Sequence, residues 1–175
     1  MTVYDVTVRE FIRGLAQLDH LLDRAVAFAT EKKIDVSVLL NSRLAPDQFS
    51  FIVQVRITTA NAYDCAAHLT GQPPLPRGGV DLITVEDLRG RIALVMNFLN
   101  TITPEDMAGW EDRKIPLYFM PGKGLGGLDY LTQYVHPNFY FHVTTAYSIL
   151  RHAGLAIGKA DYISGLSLLD VPPKG

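Results

Sequence analysis

The chain has 175 residues, 48% of them apolar, and a net charge of −2. That length fits one domain, since chains divide only above roughly 250–300 residues. The lack of any basic run argues against nucleic-acid binding, no apolar run approaches the roughly 20 residues that cross a bilayer, and the single cysteine, Cys65, excludes an internal disulfide and fits a reducing compartment.

Met1 to Arg9 carries charges and has no apolar h-region, so a cytoplasmic protein without a secretory signal is expected. A first helix is predicted from about Tyr4 to Lys32. Thr7 and Glu10 have the spacing of a capping box. Phe11, Leu15, Leu18, Leu22, Ala25 and Ala29 then recur at three- and four-residue steps, one apolar helical stripe. A second helix is predicted from Pro46, a residue suited to a first turn, to Leu69, with Gly71 and Pro73–Pro74 as the stop. Its β-branched start, Phe51 to Ile57, could pass for a strand, but the alanine-rich continuation favours helix.

Gln72 to Gly79 reads as a loop. Thr84, with Asp87 three residues on, caps a third helix whose stripe is Leu88, Ile92, Val95 and Leu99. A short turn follows from Thr103 to Trp110, and Lys114 to Gly122 has the character of a short strand. The glycines at 122, 124, 126 and 127 lack the context of a phosphate-cradling loop. Asp129 starts the last long helix, which ends at Gly154 and carries Pro137, so a kink or restart near His136 is expected. Cys65 reads as a small buried apolar residue. The expected organisation is a bundle over residues 1–163 and a tail over 164–175, its Pro172–Pro173 end poorly ordered.

The resulting fold is all-α, an up-and-down four-helix bundle with a short strand or hairpin insertion between helices three and four. Gln54, Thr58 and Asn61 form one polar stripe, and Asn138, His142 and Thr145 another. Stripes facing each other would line an interior cavity; facing water, they would carry no site. His142, crowded by aromatic residues, is either the acid–base group of that cavity or a core histidine with satisfied hydrogen bonds. His136 and Tyr147 complete the expected ligand-binding set. No HExxH, CxxC or His-x3-His pair marks a metal site.

Two segments, His136 to Gly154 (HPNFYFHVTTAYSILRHAG) and Leu39 to Asp47 (LLNSRLAPD), resemble a bacterial and fungal branch of the DinB/YfiT-like superfamily, over about Tyr4 to Ile163. The resemblance implies a DinB-like bundle, often a homodimer. Better-studied members hold a divalent metal with three histidines. Here His142 matches one ligand, Asn138 stands at the second, and Ile57 or Thr58 at the third. The expectation is therefore a protein without a metal or other cofactor, binding a small molecule and serving as an acid–base isomerase, lyase or cyclase through His142. The alternatives are a metal-dependent hydrolase or transferase with a reduced ligand set, and a non-catalytic binding or dimerisation protein. Neither nucleic acid nor membrane is an expected partner.

Overall fold

A computed structural model describes residues 1–76 and 82–171; the end of the Gln72 to Gly79 loop and the Pro172–Pro173 tail lie outside them. The chain begins with a π-helical turn, Asp5–Arg9, that runs directly into α1, Glu10–Lys32. Its start is fixed by Thr2 and Asp5. The Thr2 N–H donates to Asp5 Oδ2 at 2.8 Å, and the Asp5 N–H donates to Thr2 Oγ1 at 3.2 Å. The capping box is thus Thr2–Asp5, not Thr7–Glu10. Thr7 is buried within the helix, and its hydroxyl donates back to the Val3 carbonyl at 2.6 Å. Val8 and Phe11 are fully buried, so the helix has to begin before them.

The second long helix, α3, spans Phe51–Thr70 rather than starting at Pro46. A short helix, α2 (Val36–Leu40), comes first, capped by Asp35, which accepts from the Ser37 N–H at 2.8 Å. Pro46 lies in a turn closed by the Gln48 N–H on the Ala45 carbonyl at 3.0 Å, at the second turn position that proline favours. The β-branched run is helical.

The third long helix, α4 (Val85–Asn100), carries the reciprocal Thr84–Asp87 capping box. Two 3-10 turns, Glu105–Met107 and Trp110–Asp112, lead to an antiparallel hairpin of β1 (Lys114–Pro116) and β2 (Gly124–Gly126), with Ile115 opposite Leu125. The expected single strand is therefore two short ones. Gly127 follows, where a Cβ would meet the Trp110 carbonyl oxygen at 2.2 Å; only glycine permits that approach.

Gly127 opens a short helix, α5 (Gly127–Asp129), continued by a π-helical turn, Tyr130–Val135, and by α6, His136–His152. The π-turn is the restart expected at Pro137. Proline lacks an N–H and crowds the carbonyl four residues back, here Gln133, and the wider turn accommodates it. Gly154 (φ +102°) stops the helix, and α7 (Lys159–Tyr162) follows.

The four long helices α1, α3, α4 and α6 form the bundle. The most extensive packing is between α3 and α6, with α4 also against α3 and α1 touching all three. Leu15, Leu22, Val55, Leu88, Ile92, Val95, Phe139 and Leu150 all lie in the buried core. Gly14 lets Phe139 press onto α1, since a Cβ there would sit 2.6 Å from the ring. Among the described residues no helix is long and apolar enough to cross a membrane.

Candidate functional site

Two polar regions lie along α3. The first is the seam with α6. Gln54 is buried, and its amide Nε2 donates to the Phe49 carbonyl at 2.9 Å. Its oxygen therefore faces His142, which must donate from Nδ1–H; the two atoms are 2.6 Å apart. Burial pushes the His142 imidazole down to about 4, so the ring is neutral at pH 7 and keeps its lone pair on Nε2. Thr58 donates to the Gln54 carbonyl at 2.9 Å, and Thr145 to the Phe141 carbonyl at 2.7 Å. Such back-bonding satisfies buried hydroxyls on their own helix.

The second region is a cleft of about 420 Å³ further along α3, walled by α4, the hairpin and the π-turn before α6. Arg56, Ala60, Asp64 and His68, spaced by four, put one face of α3 into it, beside Ile57 and Asn61. Arg91 enters from α4, Pro116 and Leu117 from the hairpin region, Tyr130 and Tyr134 from the π-turn, and Asn138 from α6. Asp64 is buried and accepts from the Leu75 N–H at 2.9 Å, tying the segment after α3 to the cleft wall. The Tyr130 and Tyr134 rings lie 5.8 Å apart, His68 meets Tyr130 edge-on, and Phe119 packs on Tyr134.

The polar groups of the cleft are less completely answered than those of the seam. Asn61 is 7% exposed, and its side-chain oxygen is buried without a hydrogen-bond partner among the described residues. Arg91 has one hydrogen bond among the described residues, Nε–H to the Thr59 hydroxyl at 3.4 Å. Burial lowers its pKa, Asp64 opposes that, and Arg56 adds to it. A guanidinium still remains charged. At the C-terminal end of α3 a second recess, of about 320 Å³, gathers His68, Arg113 and Lys114, with the Arg113 guanidinium against Gly71.

Of the residues singled out in the sequence, Asn61 and Asn138 line the cleft. His142, Gln54 and Thr58 belong to the seam instead. His136 donates from Nε2 to the Val6 carbonyl at 2.8 Å and meets the edge of Phe11. Tyr147 meets Tyr162 edge-on, with ring centroids 5.8 Å apart, and does not line the cleft. Sequence reasoning passed over Arg56, Asp64, Arg91, Tyr130 and Tyr134, and read His68 as a residue of a helix C-terminus. Asp64 carried a readable signal: a carboxylate followed by Cys65, Ala66 and Ala67 sits where small buried residues are expected.

The donor set at the superfamily's metal positions does not fit zinc, nickel or iron. His142 offers one imidazole nitrogen, Asn138 a carboxamide, and the Thr58 hydroxyl is committed to its own helix. Carboxamides and hydroxyls suit zinc, nickel or iron poorly. No group of three or more His, Cys, Asp or Glu among the described residues could hold a metal.

Residues 3–163 match a family described as a domain of unknown function, DUF1993. A crystal structure of a DinB family member protein from Shewanella denitrificans is similar to this chain, with 41% identity, a TM-score of 0.90, and coverage of 97% of this chain and 96% of that one. No curated protein matches.

Proposed function

The chain belongs to the DUF1993 family, and on that footing we propose that it is a small-molecule-binding helical bundle whose ligand sits in the cleft beside α3. Asn61 and Asn138 orient that ligand. The observation that carries this reading is the Asn61 oxygen, buried and unpartnered in a cleft of about 420 Å³. Leaving a buried acceptor unsatisfied costs about 1–3 kcal/mol, and a ligand N–H or O–H in the cleft would answer it. The volume lies within the range of small-molecule sites, about 300–1,000 Å³.

In this reading His142 positions α6 on α3 rather than reacting. Its Nδ1–H is held by Gln54, and the cleft is lined without it. A fragment screen by two-dimensional NMR on labelled protein tests the proposal. Bound fragments should move the Asn61 side-chain amide signals, and Asn61→Leu should weaken them at least about tenfold, the loss of one hydrogen bond to a charged or well-oriented group. Binders that leave those signals unmoved, or that tolerate Asn61→Leu, would overturn it.

A further inference from the structure

We propose that the ligand of this cleft is a small organic monoanion, a carboxylate on an aromatic or similarly flat body that also carries a hydrogen-bond donor. This rests on the reading of the cleft as the binding site and adds the chemical class of what binds there.

The argument starts from unanswered charge. Arg56 and Arg91 both line the cleft, and neither has an ion-pair partner among the described residues. Arg91 is half-buried, and among the described residues its guanidinium has one hydrogen bond, from Nε–H to the Thr59 hydroxyl at 3.4 Å. The remaining donors of its planar fork are therefore open to a ligand. Such a fork matches a carboxylate bidentately. Asp64 opposes the cost of burying Arg91 but forms no ion pair with it, so a ligand carboxylate would be the group that meets the fork directly.

The balance of permanent charges favours a single negative charge. Among the described residues lining the cleft, Asp64 sets one carboxylate against two guanidinium groups. Counting those three groups, one positive charge is left over. A phosphate, carrying more charge, would press against the Asp64 carboxylate in a partly buried site, where Coulomb repulsion is stronger than in water.

The neutral part of the ligand follows from the walls. Tyr130 and Tyr134 line the cleft from the π-turn, with Ile57 and Leu117 adding apolar surface. Aromatic side chains favour offset or edge contacts with a flat partner. The Asn61 oxygen requires a donor, which a carboxylate alone does not have. A hydroxyl or N–H elsewhere on the same molecule meets that need.

Four probes test this on the intact, labelled protein: 4-hydroxyphenylacetate, its neutral amide 4-hydroxyphenylacetamide, the amine tyramine, and phenyl phosphate. The readouts are the Arg91 Nε–H and Asn61 side-chain amide signals, with affinities from titration. The carboxylate should move both signals and bind about 10- to 100-fold more tightly than the amide, the range of a hydrogen bond to a charged group. Arg91→Met should reduce the carboxylate to the affinity of the amide while leaving the amide unchanged. Arg91→Lys, which retains the charge but not the fork, should keep part of the preference. Equal binding of carboxylate and amide, tighter binding of tyramine or phenyl phosphate, or a preference that survives Arg91→Met would overturn the charge assignment and leave the cleft as a binding site. If none of the four probes moves either signal at millimolar concentration, the charge assignment and the cleft reading both fall.

Discussion

Gln54 and Asn61 stand on nearly the same face of one helix, seven residues apart, yet they have opposite fates. At Gln54 every polar atom is answered: the amide donates to Phe49, the oxygen accepts from His142, and Thr58 bonds back to the Gln54 carbonyl. About 10 Å further along the axis, the Asn61 oxygen has no partner among the described residues, and two arginines share the same space with a single acid, Asp64. Buried polar groups normally find partners. A closed network fixes the packing of two helices, and an open one leaves an acceptor for which the proposed ligand is the answer. Polarity on an inward face is therefore not evidence of a site until its hydrogen bonds have been traced.

Lowering the pH should produce the largest separation between the two regions. The ordinary His142 value is 6.5 and the folded one about 4. Above pH 6.5 the ring is neutral folded or unfolded, and its contribution is fully present. As the pH falls towards 4 the unfolded chain takes up a proton that the folded chain refuses, so stability is lost, by about 3 kcal/mol at pH 4. Urea unfolding from pH 7 to 4.5 should show a steeper loss in the parent than in His142→Gln; identical pH dependence would break the contrast. Next in size, Gln54→Leu strands the His142 Nδ1–H in the seam and should cost about 2 kcal/mol. Adding His142→Phe to it should recover part of that loss, a coupling that a double-mutant cycle reads directly.

The cleft should behave in the opposite way. Asn61→Leu removes an oxygen that has no partner, and its stability should stay within about 0.5 kcal/mol of the parent or rise. A loss as large as that of Gln54→Leu would mean that Asn61 is structural as well. Smallest of all, Arg56→Gln should change thermal stability by less than about 0.5 kcal/mol, the ordinary range for an exposed position.

Much of the fold was legible because apolar periodicity is a direct image of burial. The α1 stripe from Phe11 to Ala29, the Thr84–Asp87 cap and the Gly154 stop all stand where the pattern placed them. Helix starts were less legible. The Thr-x-x-acid spacing occurs at both Thr2 and Thr7, and only the burial of Val8 decides between them. Pro46 suits a turn as well as a first helical turn, and the turn prevails. The candidate site was only half legible. Periodicity gives the angle of a residue around its helix, and it grouped Gln54, Thr58 and Asn61 correctly by angle. It says nothing of what lies opposite at each height, and that is what separates a seam from a cleft. Arg56 and Arg91 were invisible for a related reason: an arginine beside a cavity has the same spacing as one facing water.

The π-turn at Tyr130–Val135 sets the phase of everything after it. An α-helix advances about 100° per residue, so one residue more or fewer in that turn would rotate α6 as a block against the tyrosines that precede it. Tyr130 and Tyr134 would stay with the hairpin, while Asn138 would swing out of the cleft and His142 off Gln54. Inserting one residue between Tyr134 and Val135 alters no side chain named in the cleft or the seam, yet it would dismantle both together. The exposed positions of this turn, Thr132 and Gln133, should therefore accept substitutions more readily than the turn accepts a change in its length.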